Sequence, residues 1–151
     1  MDYRQLNTDI KKDHFPLPFI DKVLDGLEGN KFFSFLDGFS GYNQFQINPE
    51  DQDKTTFTCP WGTFAYRVLP FGLCNAPTMF QREILSIFVK LFHDTVEINM
   101  DDFTPYGCDI LEALSNLAKV LRKCIEMNLS LNPEKCEILM NVGIVLGCSI
   151  Y

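Results

Sequence analysis

The chain has 151 residues, 46% of them hydrophobic and 22% charged, which suits one ordinary domain with a real core and excludes a disordered polymer. Its net charge of −7 sits badly with a free-standing nucleic-acid binder, whose footprint is basic, and points to a small partner, a metal-dominated site or a piece whose basic parts lie elsewhere. No apolar run reaches the roughly 18 residues of a membrane span and no secretory leader opens the chain, so the expectation is an intracellular protein, neither secreted nor membrane-bound. Six cysteines, at 59, 74, 108, 124, 136 and 148, include no Cys-x-x-Cys pair and neither His stands with them, so reduced thiols are expected rather than zinc ligands.

Met1 to Asn7 reads as the end of a strand followed by a loop. Lys11, Lys12 and His14 form a basic cluster, which by itself is equally a solvated loop. Pro16 and Pro18 forbid helix and lead into a short helix with Ile20, Val23, Leu24 and Leu27 on one face, stopped by Gly26 and Gly29. Lys31 to Asp37 is an aromatic strand. Residues 51–53 read as polar loop, Thr55 to Cys59 as strand, Pro60-Trp61-Gly62 as turn and Thr63 to Arg67 as its returning partner. After an irregular loop from Leu69 to Pro77, with Asn75 as a helix N-cap, Phe80, Ile84, Ile87, Phe88 and Leu91 mark a helix to about Phe92. A second long helix follows from Ile110, Leu114, Leu117, Leu121 and Ile125, ended by Asn128 and the Pro133 region. Residues 135–140 and 142–150 read as two closing strands, hairpinned across Asn141-Val142-Gly143. The order predicts an α+β fold with an antiparallel sheet.

Between the two long helices lies Glu97-Ile98-Asn99-Met100-Asp101-Asp102-Phe103, a strand, a two-residue acidic tip at Asp101-Asp102 and a returning strand. Asp is at home in turns, so a solvated turn is one reading. The other takes in Asp37, a carboxylate at a strand end entering Gly38-Phe39-Ser40-Gly41, where glycine allows close approach to a ligand. Asp37 itself reads as a metal ligand, a catalytic acid or a helix N-cap. Three carboxylates on adjacent sheet elements would repel one another and raise at least one pKa unless cations were recruited. Magnesium takes oxygen ligands of this kind, and two ions about 3.5–4 Å apart can clamp the attacking and leaving oxygens of a phosphoryl displacement.

The stretch Phe35-Leu36-Asp37-Gly38-Phe39-Ser40-Gly41-Tyr42-Asn43-Gln44 resembles the first motif of reverse transcriptases from gypsy-type LTR retrotransposons. Thr55 to Thr58, Gly62 to Tyr66 and Leu69 to Gln81 resemble the next motifs, Met100-Asp101-Asp102 the acidic one, and Leu131 to Cys136 and Gly143 to Gly147 the last two. Asp2 to Asn7 and His14 to Pro18 are similar to the fingers region, so the likeness runs along essentially the whole chain, with a plant-type flavour. The resemblance implies an RNA-directed DNA polymerase: a palm with an antiparallel sheet backed by helices (about 31–47 and 71–151), partial fingers (about 1–30 and 48–70), and no thumb or ribonuclease H portion. It implies Asp37, Asp101 and Asp102 as ligands of two magnesium ions, for which manganese could substitute. Gly38, Tyr42 and Phe71 would line the deoxynucleoside triphosphate, with Tyr42 excluding a 2′-hydroxyl. Lys135 would donate a proton to the leaving pyrophosphate, and Leu146 and Gly147 would grip the primer. Template RNA or DNA with a primer would be the partner, in a cytoplasmic particle or the nucleus.

Each position also has a plainer reading: Tyr42 and Phe71 as core, Lys135 as a solvated loop lysine. Asn99 stands where the family has an aromatic residue, and Cys148 where His is common. Asn99, the negative charge and the missing basic segments imply that these 151 residues alone extend primers poorly or not at all. The alternatives are an inactive transposon remnant, or a non-catalytic domain that binds nucleic acid or a partner.

Overall fold

The aromatic run at Phe32 to Leu36 becomes a strand because its large side chains pack on a pleated, half-buried surface. In the computed structural model of the protein, residues 2–16, 18–145 and 147–150 are described. In chain order the elements are α1 (Arg4–Asp9), α2 (Ile20–Leu27), β1 (Phe32–Asp37), a 3₁₀ turn (Gly41–Gln44), α3 (Pro49–Gln52), a second 3₁₀ turn (Asp53–Thr55), β2 (Phe57–Cys59), β3 (Gly62–Phe64), α4 (Ala76–Phe88), β4 (Val96–Asn99), β5 (Asp102–Gly107), α5 (Ile110–Glu126), β6 (Glu137–Met140), β7 (Gly143–Val145) and β8 (Cys148–Ile150). The α+β expectation holds. No helix among the described residues is long and apolar enough to cross a membrane.

Packing divides the chain into two compact units, residues 1–15 with 40–80, and residues 16–39 with 81–151.

The larger unit is built on a four-stranded antiparallel sheet of order β4-β5-β1-β6. Val23, Leu27, Phe33, Tyr106 and Val145 form a buried cluster, with Leu24, Phe35 and Ile150 packed against it. The helix α5 lies on β5 and β1 through Ala113, Asn116, Leu117, Val120 and Cys124. It starts where Asp109 accepts the Glu112 backbone N–H (2.8 Å) and Glu112 reaches back to the Cys108 N–H (2.8 Å), a reciprocal cap. In the smaller unit, β2 and β3 form the expected hairpin, shorter than predicted, with Phe57 beside Phe64 and Tyr66.

Five expectations need correction. Residues 4–9 are helical, because Arg4, Gln5 and Leu6 are good helix formers and Asp2 accepts the Arg4 N–H. Residues 51–53 lie in helical turns rather than loop, with Asn48 capping Glu50 and Pro49 in the first turn, and Thr55 ends the second turn instead of opening β2. Gly26 lies inside α2 instead of ending it. The helix α4 ends at Phe88, four residues early. Finally, the closing strands do not pair with each other across residues 141–143. Instead β6 adds to β1, and the second stretch folds on itself as the β7–β8 hairpin, turning at Gly147 (φ 83°). Leu146, expected in the primer grip, lies outside the described residues.

Candidate active site

The site begins with register. The antiparallel ladder between β1 and β5 pairs Leu36 with Phe103 and Asp37 with Asp102, so two carboxylates end adjacent strands as direct cross-strand partners. Like charges in that position oppose pairing, and two such residues are retained here at the mouth of the sheet. The hairpin tip is displaced by one residue from the expected Asp101-Asp102: the loop is Met100-Asp101, and Asp102 opens β5 opposite Asn99. Met100 takes a left-handed φ of 56°, a conformation that a residue with a side chain adopts at a cost.

A buried glutamine holds that turn. Gln81 on α4 has no exposed surface; its Oε1 accepts the Met100 N–H at 2.6 Å and its Nε2 donates to the Ile98 carbonyl at 3.4 Å. The sequence analysis took Gln81 as part of a family motif and assigned it no role. Its signal was a polar residue next to Phe80 on the apolar stripe of α4, where an amide must find partners.

Asp101 and Asp37 are also joined through backbone. The Gly38 N–H donates to the Asp101 carbonyl at 2.8 Å, and a Cβ on Gly38 would meet the Asp101 Cβ and carbonyl oxygen at 3.3 Å each. Glycine therefore lets the turn after β1 close on the acidic tip. Asp37 is not a helix cap: the residue before the following 3₁₀ turn is Ser40, in a left-handed conformation. On the other side, the Asp37 carbonyl accepts the Asn132 N–H (2.8 Å), and the Phe39 N–H donates to Ser130 (2.9 Å). The turn at Asn132, whose side chain accepts the Glu134 N–H and whose carbonyl accepts the Lys135 N–H, then delivers Lys135. The Lys135 Nζ lies 3.3 Å from the Asp37 Oδ2, with the lysine side chain 66% exposed and the aspartate 18%. Lys135 is thus a partner of the acidic pair and not merely a solvated loop lysine.

Electrostatics follow from this crowding. Asp102 is open to solvent on one side, yet protein around it strips enough water from the carboxylate to raise its pKa. Asp101 and then Asp37 push it further the same way, and Lys135 pulls it back. Among the described residues, no three His, Cys, Asp or Glu side chains converge into a group that would hold a metal unaided. Asp37 and Asp102 face each other across the strands, and Asp101, on the adjoining turn, acts on Asp102 as well. That donor set is all oxygen, and the repulsion raising the Asp102 pKa is what a cation would relieve. Both suit magnesium, which commonly binds through one or two carboxylates and completes its shell with water and substrate phosphates.

In the other compact unit, Tyr42 and Phe71 come together. Their rings meet edge to face at 4.9 Å, and Tyr42 also meets Phe80 at 5.3 Å, with Phe45 on the far side of Phe80 at 5.1 Å. Phe71 is 66% exposed, so it is not core.

Residues 1–150 match the reverse transcriptase (RNA-dependent DNA polymerase) family. The chain belongs to that family. Within it, the chain is 41% identical over 147 residues to the retrovirus-related Pol polyprotein from transposon 412 of Drosophila melanogaster, covering 97% of the chain and 12% of that relative. It is 34% identical over 137 residues to the transposon Tf2-3 polyprotein of Schizosaccharomyces pombe, covering 91% of the chain and 10% of that relative. The chain therefore spans no more than about a seventh of the length of these curated relatives. Its fold superimposes on a foamy viral protease–reverse transcriptase solved in complex with an RNA/DNA hybrid, with a TM-score of 0.88 and 23% identity, over 99% of the chain and 20% of that protein. A second foamy viral structure, in complex with double-stranded DNA, gives a TM-score of 0.89 at the same identity, over 99% of the chain and 26% of that protein.

Proposed function

We propose that the chain is the catalytic core of an RNA-directed DNA polymerase carried in a retrotransposon polyprotein, of gypsy type and plant-like in its motifs. It would transfer deoxynucleotides to a primer 3′-hydroxyl on an RNA or DNA template. The observation that carries the reading is the cross-strand Asp37–Asp102 pair, with Asp101 on the adjoining turn and Lys135 at Asp37, in a chain of this family.

In this reading Asp37, Asp101 and Asp102 would hold two magnesium ions, or manganese in their place. The metal, when bound, stabilises charge on the attacking and leaving oxygens. Gly38, without a side chain, lets the backbone approach the triphosphate. Lys135, an ammonium within reach of an anion at Asp37, supplies a proton to the departing pyrophosphate. The Tyr42 ring, braced by Phe71 and Phe80, rejects a 2′-hydroxyl by bulk, and the exposed Phe71 face packs on the nucleotide. Gly147 belongs to the hairpin that bears on the primer. The site of action is an intracellular particle or the nucleus.

Primer extension on an RNA template with magnesium tests this. Extension by a longer polyprotein segment containing these residues, lost in its Asp102→Asn variant, is expected; extension that survives Asp102→Asn removes the reading.

A further inference from the structure

Glu97 is an anomaly. It sits on β4 opposite Thr104, and its side chain has no exposed surface. A buried carboxylate is costly unless paired, and burial raises its pKa, with His93 pulling the other way. Its Oε1 meets His93 Nδ1 at 2.9 Å, but no described residue gives its buried Oε2 a hydrogen bond. The same oxygen also faces α2, so closely that a Cβ on Gly26 would lie 2.4 Å from the Glu97 Oε1 and 2.9 Å from its carboxyl carbon. Glycine inside a helix is destabilising relative to alanine, and an eight-residue helix has little stability to spare. Two unfavourable choices, a buried acid and a mid-helix glycine, therefore meet at one contact. Glu97 and Thr104 share a face of the hairpin with Asn99 and Asp102, and all four line a cavity of about 100 Å³ together with Asp37 and Lys135.

We propose that Glu97 is a positioning residue: wedged between Gly26 of α2 and His93, it sets the seat of the β4–β5 hairpin and so the place of Asp102 opposite Asp37. The wedge grips the hairpin at its base as Gln81 grips it at its tip, and Asp102 lies between the two. The consequence for metal binding rests on the polymerase reading; the mechanical coupling does not.

The test uses the full chain with Gly26→Ala, and with Gly26→Ala combined with Glu97→Asp, which draws the carboxyl back by one methylene. Two readouts are taken: amide hydrogen exchange at Met100, Asp101 and Asp102, and Mn²⁺ affinity by electron paramagnetic resonance. Gly26→Ala is expected to speed exchange at the tip and weaken Mn²⁺ binding about tenfold, the effect of disturbing a group that orients a ligand. Glu97→Asp in the same chain restores both. A purely structural Gly26 would lower the melting temperature and leave tip exchange and Mn²⁺ affinity unchanged, which overturns the proposal, as does a tip that responds without rescue by Glu97→Asp. Should Gly26→Ala fail to fold, Glu97→Gln and Glu97→Ala decide. The amide keeps the wedge and should keep tip protection, the alanine should lose it, and equal behaviour overturns the proposal. A chain that binds Mn²⁺ no better than its Asp102→Asn variant removes the polymerase reading, while tip exchange still judges the wedge.

Discussion

Asp37 and Asp102 are held by backbone; Tyr42 and Phe71, in the other compact unit, are held by rings. The carboxylates sit at the end of a strand ladder whose register sets Asp37 against Asp102, and backbone bonds from Gly38 and Asn132 fix the turns beside them. The aromatics sit on a 3₁₀ turn and an irregular loop, and contact at 4.9 to 5.3 Å edge to face orients them. A ladder slip of one residue would turn every side chain to the other face, so the acidic site is present or absent as a whole. Ring contacts are many and individually weak, so the aromatic pair degrades by degrees.

The contrast is broken most sharply at the acid pair. Asp102→Asn is expected to cut primer extension on the order of 10²–10³-fold or more, the scale for removing one group that stabilises transition-state charge, with little change in melting temperature. Next comes Tyr42→Ala, which should cost about 1–3 kcal/mol in denaturant unfolding for lost ring contacts and admit ribonucleotides about tenfold more readily in extension assays. Gln81→Leu leaves the Met100 N–H and the Ile98 carbonyl without partners and should cost about 1–3 kcal/mol, with faster amide exchange confined to the hairpin. The pH dependence is smaller. Burial raises the Glu97 pKa in the folded state, so the folded chain holds that proton more tightly than the unfolded one. Its contribution is fully present below the ordinary carboxylate range and is lost as pH rises through the raised value. Unfolding of Glu97→Gln across that window should accordingly show a flatter decline of stability with rising pH than the parent. Smallest of all, Trp61→Ser, on an 86% exposed ring at the β2–β3 turn, should stay within about 0.5 kcal/mol of the parent.

Much of the fold was legible because its signals are local. The helical stripe at Phe80, Ile84 and Phe88 and the alternation at Val96 and Ile98 are patterns of burial that any packing partner would satisfy. The candidate site was legible as residue types in a motif order, but not as geometry. The tip was read as Asp101-Asp102 because both are good turn formers; the structure uses Met100-Asp101, since Asp102 is taken up by pairing with Asn99 and Asp37. The closing strands were misjudged for a related reason: residues 137–140 find a partner in β1, about a hundred residues away, and no local pattern states that choice.

What the sequence by itself determined was the class of fold, the places of the long helices and the identity of the acidic residues, because hydrophobic period, turn chemistry and motif order are properties of neighbours along the chain. What only the tertiary structure decided was the register that sets Asp37 against Asp102, the turn that brings Lys135 to Asp37, the hold of Gln81 on the Met100 turn, and the close contact of Gly26 with Glu97. Each of these joins residues far apart in sequence, and their pairing depends on which backbone and side-chain groups are left without partners once the helices and strands have packed.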